Sequence, residues 1–340
     1  MITLKEIAEL AQVSRRTVSR ALEDKSLVKK ETYEKIMSIV KEHNYQPSLA
    51  ARSLSIGTKK IVFCGYYSNT SLFHAAILKE AKEKAKELER FNVKVDFYLD
   101  SLDAHISKDE IKKITENFDA DCLISLPKDY GFPLNTALVN LAQKKHIPVI
   151  YINMDGKKQD RLCYVGCDYI KSGRIAAGLM GLLLNKKGRI AILNQSYPDY
   201  ASCVFRYEGF VSQLKKKFPE INIVYEDLFF GKSDNREIVN NLKQADIDGI
   251  YIINPGNYTI CSDAYNALRY KQVKIITNDL LDPCINMLKD GTICAVIYQN
   301  PAEQADKALD IAYMYLLSKD KGKHYRDPNC EISILIGECL

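Results

Sequence analysis

Arg15, Arg16 and Arg20 fall within one short run, Val13-Ser14-Arg15-Arg16-Thr17-Val18-Ser19-Arg20, in which apolar and polar residues follow a helical rhythm. A guanidinium presents its N–H donors in a fixed fork, and that fork matches the O6 and N7 acceptors of guanine in the major groove of a duplex. The chemistry these residues can do is recognition. A second set lies far downstream: Arg206, Asn254, Asp279 and Gln299, at spacings of 48, 25 and 20 residues. Forked donors and a charged acceptor suit the hydroxyls of a polyol better than an apolar ligand. Taken singly, Asn254 and Asp279 also read as ordinary turn residues, and Arg206 as a surface arginine.

The first set needs a scaffold, and the neighbouring residues supply one. Thr3-Leu4-Lys5-Glu6 has the form of a capping box, with the Thr3 hydroxyl accepting from the Glu6 amide and the Glu6 carboxylate reaching back. Leu4, Ile7, Ala8 and Ala11 recur at helical spacing and predict a helix ending near Ala11. After a turn at Gln12-Val13, Ser14 is placed to cap a second helix, 15–22. That helix buries Val18, Ala21 and Leu22 and exposes Arg15, Arg16, Thr17, Ser19 and Arg20. Two short helices across a tight turn, the second led by arginines, describe a helix-turn-helix. A third helix at 30–43, with Tyr33, Ile36, Met37 and Val40 at helical intervals, closes a small core. The alternative is a helical bundle whose basic face is merely solvated.

Charge favours the first reading. Residues 1–60 hold twelve Lys and Arg against seven Asp and Glu, whereas the remaining 280 residues carry 36 of each sign. A basic head on a neutral body suggests that the head meets a polyanion. The stretch Tyr45-Gln46-Pro47-Ser48-Leu49-Ala50-Ala51-Arg52-Ser53-Leu54 then starts with a proline suited to a helix N-terminus and ends in one leucine before Gly57. So short a helix is marginal alone. Its alanines and its leucine wedge suit a minor groove, where apolar side chains prise a base step apart.

From Leu4 to Leu54 the chain closely resembles the head and hinge of the lactose-repressor family of bacterial transcription regulators. The resemblance implies that Arg15, Arg16 and Arg20 read bases, and that Ala51 and Leu54 sit in the minor groove at the centre of a palindromic operator. It extends the expected DNA-contacting set to Thr3, Ser14, Thr17, Ser19, Ser48 and Arg52. One departure is visible: the family commonly has asparagine after the hinge proline, and this chain has Ser48.

Residues 61–340 are long enough for two further cores. Apolar, β-rich runs at 61–66, 93–98, 122–126, 149–152, 189–193, 223–225, 249–253, 274–277 and 295–298 alternate with helical patterns such as 75–89, 170–184 and 302–317. Such alternation implies parallel sheets with helices on both faces. The expected fold is a small all-α helix-turn-helix head plus an α/β two-lobed body of two doubly wound parallel sheets. The expected boundaries are 1–46 for the head, 47–59 for the hinge and 60–340 for the body. Within the body, 60–161 with 294–318 form one lobe, and 162–293 with 319–340 the other.

Ligands of open α/β sheets sit outside the carboxyl ends of strands, and Asn153, Asn254, Asp279 and Gln299 follow or end predicted strands. Together with Arg206 they resemble the sugar pocket of the periplasmic-binding-protein fold, the body of lactose-repressor-type regulators. In that family, residues matching Arg206, Asn254, Asp279 and Gln299 bond or support sugar hydroxyls, and Asp168 and Phe73 match further pocket positions. The implied effector is a mono- or disaccharide or a derivative. Two departures concern its identity: Met154 stands where some relatives carry a polar residue, and Ser233 where many carry a stacking aromatic. Phe229 or Phe230 could substitute for that aromatic; the chain has no tryptophan.

Other classes lack their signatures. A charged amphipathic helix follows Met1, so no signal peptide is expected, and the longest apolar stretch, 176–184, is too short for a bilayer span. The ten cysteines show no CxxC pair and the five histidines no cluster, so the cysteines are read as buried hydrophobes in a reducing cytoplasm. No metal or cofactor is expected. Gly173, Gly178 and Gly181 lack the Gly-Lys-Ser/Thr ending of a phosphate loop and are read as close helix packing. An exported solute-binding protein would explain the body but not the basic head. An enzyme fused to a helix-turn-helix would need a catalytic set that is not found. The expectation is a cytoplasmic, non-enzymatic, homodimeric, ligand-responsive repressor.

Overall fold

The computed structural model describes residues 2–23, 27–43, 57–67, 72–101, 106–127, 133–156, 161–195, 201–228, 234–256, 258–318 and 325–340. The hinge stretch 47–54, with Ser48, Ala51, Arg52 and Leu54, lies outside them, as do Phe229, Phe230 and Ser233. The chain divides into two compact units, 1–58 with 90–92, and the remainder.

In the first unit, α1 (Leu4–Ala11), α2 (Arg15–Glu23) and α3 (Lys30–Glu42) enclose one core. Ile7, Ala8, Ala11, Val18, Ala21 and Ile36 are buried there, with Leu4, Val13, Leu22, Tyr33, Ile39 and Val40 packed around them. Burying Ile7, Val18 and Ile36 contributes roughly 1.5–3 kcal/mol each, and the three alanines let the helices approach closely. Leu22 is half-buried rather than buried, and Thr17 and Ser19 are half-buried rather than exposed, because nine residues of helix turn their last face partly inward.

The body holds two sheets. The first orders β1 (Lys59–Tyr67), β2 (Val93–Ser101), β3 (Cys122–Ser125), β4 (Val149–Ile152) and β5 (Cys163–Val165) as β2-β1-β3-β4-β5, all parallel. Its helices are α4 (Leu72–Glu89), α5 (Lys108–Glu116) and α6 (Pro133–Lys144). The second sheet contains β6 (Lys187–Asn194), β7 (Glu220–Asp227), β8 (Gly249–Asn254), β9 (Lys274–Asn278), β10 (Ala295–Tyr298) and β11 (Ser333–Leu335), ordered β11-β10-β9-β8-β6-β7. Around it lie α7 (Tyr169–Leu183), α8 (Ala201–Lys217), α9 (Asn235–Ala245), α10 (Thr259–Leu268) and α11 (Asp282–Lys289). A last long helix, α12 (Pro301–Leu317), packs on α4 and on the first sheet. Strands β3 and β4 are buried along their whole length, which is why they read as mostly apolar runs, with the buried Ser125 hydroxyl bonded to Asn135.

Three features depart from the expected fold. Strand β5 was not expected; its three residues carry too short a pattern, and only pairing with β4 makes it a strand. Strand β11 was not expected either, and it runs antiparallel to β10, so the second sheet is not wholly parallel. The crossings between lobes also lie elsewhere than expected. Residues 163–165 belong to the first sheet and 295–298 to the second, so the chain crosses after Val165 and again between Tyr298 and Pro301. Pairing partners, not composition, fix those points.

The glycines divide too. A Cβ on Gly173 would lie 2.0 Å from the Arg206 carbonyl oxygen, one on Gly209 2.1 Å from that of Ile170, and one on Gly181 2.4 Å from the Phe218 ring. Gly173 and Gly209 thus let the backbones of α7 and α8 meet. Gly178 has open space around it.

Candidate functional site

Local chemistry builds the arginine face of the head. The Thr3 amide donates to Glu6 Oε2 at 2.6 Å and the Glu6 amide to Thr3 Oγ1 at 3.3 Å, closing the capping box. The Thr3 amide and hydroxyl, both donating to Glu6 Oε2, hold that carboxyl below its ordinary range. Gln12 takes a left-handed backbone, φ 59°, to turn the chain. The Thr17 amide then donates to Ser14 Oγ at 3.1 Å, starting α2. Arg15, Arg16 and Arg20 are exposed on that helix, and Thr3 and Ser14 are exposed at the two helix starts.

In the second lobe, α8 carries Arg206 into the interior, 2% exposed. Its Nη1 donates to the Ile253 carbonyl at 3.4 Å, its Nη2 lies 3.6 Å from Asp279 Oδ1, and its Cζ stands 5.2 Å from the centre of the Tyr169 ring. Among the described residues its Nε and Nη2 make no hydrogen bond. Burial opposes the Arg206 charge, yet Asp279 together with Cys167, Tyr251 and Tyr169 offsets it and the net shift is upward, so the guanidinium stays charged. Asp279 follows β9 with a left-handed backbone, φ 65°, which turns its carboxylate away from the strand path.

Gln299 ties this pair to the crossings. Its Nε2 donates to Asp279 Oδ1 at 2.8 Å, while its Oε1 lies 3.2 Å from Cys167 Sγ and accepts from Gln304 Nε2 at 3.4 Å. Burial pushes the Cys167 thiol up to about 12, so at neutral pH it is a protonated donor to Gln299. Tyr169, buried, donates to Asn153 through both the carbonyl oxygen, 2.6 Å, and Oδ1, 2.8 Å. Tyr164 donates to the same Asn153 carbonyl at 2.9 Å.

Beside this cluster lies a recess of 240 Å³ whose walls include Met154, Tyr164, Cys167, Asp168, Tyr169 and Phe205. Asp155 also lines it, but that carboxylate is committed to Arg161, which binds Asp327 as well. Asp168 is exposed, and one of its oxygens caps α7 by accepting from the Lys171 amide at 2.9 Å.

The expected pocket residues therefore part ways. Arg206, Asp279 and Gln299 converge, Asn153 reaches them through Tyr169, and Asp168 faces the recess. Asn254 behaves as a turn residue, its Oδ1 accepting from the Gly256 amide at 3.0 Å. Phe73 begins α4 in the first lobe and packs edge-on against His74; among the described residues no hydrogen bond or ring contact joins it to Arg206. Sequence reasoning missed Tyr169, Gln304 and Phe205. Their only signal was adjacency: Tyr169 to Asp168, Phe205 to Arg206, and Gln304 five positions after Gln299. Among the described residues no cluster of His, Cys, Asp and Glu could hold a metal ion, and no helix is long and apolar enough to cross a membrane.

Comparison with known proteins agrees with both units. Residues 3–48 match the family described as bacterial regulatory proteins, lacI family, and residues 61–320 match the periplasmic binding protein domain. The HTH-type transcriptional regulator AscG of Escherichia coli is 36% identical over 26% of this chain and 28% of its own length. The probable HTH-type transcriptional repressor ExuR of Bacillus subtilis is 28% identical over 46% of this chain and 44% of its own. The matches thus span under half the length of these curated relatives. A putative LacI transcriptional regulator from Bacteroides fragilis has the same body fold, with TM-score 0.68 and 19% identity over 83% of this chain and 98% of that one. GanP, a glucose-galactose binding protein from Geobacillus stearothermophilus, superposes with TM-score 0.64 and 21% identity over 83% of this chain and 99% of its own. With a helix-turn-helix head on a periplasmic-binding-protein body, the chain belongs to the lacI family of bacterial regulatory proteins.

Proposed function

We propose that the chain is a cytoplasmic transcriptional repressor that binds a pseudo-palindromic operator as a homodimer and responds to a sugar held by Arg206, Asp279 and Gln299. The exposed guanidinium row of Arg15, Arg16 and Arg20, on a helix whose other face is locked into a three-helix core, carries the DNA half of this reading. One head reads too few base pairs for useful selectivity, and paired heads match the two-fold symmetry of a palindrome. Residues 47–54 act as the hinge, with Ala51 and Leu54 in the minor groove.

The sugar half rests on a buried guanidinium whose Nε and Nη2 make no hydrogen bond among the described residues, beside a carboxylate and an amide. Body-fold neighbours include proteins described as binding glucose and galactose or arabinose, which supports the same ligand class. A ligand alters DNA affinity only by favouring one lobe arrangement over another, and the coupling is reciprocal.

The test is selection of duplexes from a randomised pool, followed by titration of the selected DNA with and without a panel of sugars. The expected outcome is a two-fold symmetric site, a complex holding two chains, and at least one sugar that changes its affinity. An asymmetric site bound by a single chain overturns the dimer reading; a panel without effect on the complex overturns the sugar reading.

A further inference from the structure

One face of α7 is turned away from its lobe. At helical spacing Lys171, Arg174, Ile175, Gly178 and Leu182 fall on it together. Lys171 and Arg174 are exposed, and Ile175, Gly178 and the adjoining Leu179 are half-buried. Leu182 is 71% exposed, the barest large apolar side chain among the described residues. A single exposed leucine is ordinary. This one ends a row that is apolar in its middle and basic beyond both ends.

The three glycines of α7 separate what the lobe requires from what it does not. Gly173 is kept small by the Arg206 carbonyl and Gly181 by the Phe218 ring, whereas a Cβ on Gly178 would meet nothing within 4 Å. A glycine inside a helix weakens it relative to alanine, and no described neighbour calls for one at position 178. The missing side chain leaves a shallow notch between Ile175 and Leu182, where a foreign side chain can approach the backbone.

The same contacts set α7 and α8 side by side in one direction, which brings Lys215, Lys216 and Lys217 level with the end of α7. Lys186 and Lys187, just past that end, are exposed as well. Within 168–189 and 201–220 the exposed acidic residues are Asp168, Glu208 and Glu220. Residues 61–340 carry 36 charges of each sign, so the basic excess here is local.

We infer that this face of α7 docks an amphipathic helix of a second protein, one whose apolar ridge has acidic side chains at both ends. The ridge packs into the Gly178 notch against Ile175 and Leu182. Its acidic ends meet Lys171 and Arg174 on one side and the lysines of 186–187 and 215–217 on the other, which fixes register and speeds encounter. A second copy of this chain is the poorer occupant. Two α7 faces related by a two-fold axis, parallel or antiparallel, bring basic ends onto basic ends. A nucleic acid offers Leu182 no apolar ridge. The inference uses neither the sugar nor the operator.

The experiment titrates the full chain with a fluorescein-labelled, stapled helical peptide, read by anisotropy. The peptide carries leucines and alanines along one face and glutamates at both ends; its control carries lysines in place of the glutamates. The acidic peptide is expected to bind and the basic one not, and rising salt should weaken the complex. Leu182→Ser, and Lys215→Glu combined with Lys216→Glu and Lys217→Glu, should each weaken it roughly tenfold or more, with titration of the selected DNA unchanged. Gly178→Leu fills the notch without an internal clash. It should therefore raise the unfolding temperature while weakening the peptide, a combination that no folding defect produces. Absence of saturable binding by the acidic peptide, or binding unmoved by all three variants, overturns the inference. So does an oligomer of the wild-type chain that Leu182→Ser dissociates in sedimentation, which assigns the face to a second copy. Binding to phosphatidylglycerol vesicles in preference to the peptide, lost in the same variant, overturns it in favour of a lipid surface.

Discussion

The Arg206 guanidinium lies 3.6 Å from the Asp279 carboxylate, close enough to pair in charge and too far for a hydrogen bond between Nη2 and Oδ1. A buried cation so loosely satisfied costs free energy that a well-packed apolar residue would not. Its retention at the carboxyl ends of β8 and β9 fits a group held ready for an external partner.

Asp279→Ala leaves that cation uncompensated. The body should lose roughly 3–5 kcal/mol in urea unfolding, as is typical when one partner of a buried pair is removed. Arg206→Met combined with Asp279→Leu should recover most of the loss. Single and double variants of equal stability would show that the pair is not coupled. Asp279→Asn, which keeps shape without the charge, is expected to retain operator binding while losing the response to effector.

Gly173 and Gly209 tolerate no side chain at the α7–α8 crossing, since an added Cβ falls 2.0 and 2.1 Å from backbone carbonyl oxygens. Gly173→Ala and Gly209→Ala should each destabilise by at least about 1–3 kcal/mol, the usual range for overpacking. Gly178 lies in the same helix with nothing within 4 Å, and Gly178→Ala should stabilise by roughly 0.5–1 kcal/mol. Thermal unfolding of the three variants separates the two cases by sign.

Asp96 accepts from Lys60 at 3.1 Å and Lys94 at 2.9 Å across the first two strands. Burial raises its pKa, the two lysines lower it more, and the net shift is below 3.8. A depressed carboxyl pKa contributes stability above the unfolded value, and the contribution disappears as pH falls through the folded value. Asp96→Asn should therefore cost about 0.5–1 kcal/mol near neutral pH, with the difference from wild type disappearing as pH falls through the lowered folded value. A difference that persists in acid would assign the loss to packing.

Arg15→Ala, Arg16→Ala and Arg20→Ala should leave the head folded, because all three side chains are exposed. A base-reading position among them should lose roughly 1–3 kcal/mol on the selected operator and relax base choice there. A phosphate contact weakens all sequences alike and lowers the salt slope by about one. Three wild-type titrations would remove α2 from the interface.

The head was legible in the chain because its signals are local. A capping box spans four residues, a helix face repeats every three or four, and a serine one turn from its target starts α2. The strands of the body were legible for a similar reason, as β3 and β4 are predominantly apolar. Strands β5 and β11 were not, since three residues carry too little pattern and acquire strand character only from a distant partner.

Sequence by itself determined that arginines lead a capped helix, that helices and strands alternate, and that Arg206, Asp279 and Gln299 are available near strand ends. The tertiary structure decided which of the available residues meet. It brought Tyr169 over Arg206 and Gln304 onto Gln299, left Asn254 in a turn, set Asp168 and Phe205 on a recess apart from the network, and fixed where the chain changes sheets. Hydrogen-bond partners and ring contacts between residues tens of positions apart depend on sheet order and helix crossing. No periodicity in the chain encodes those directly.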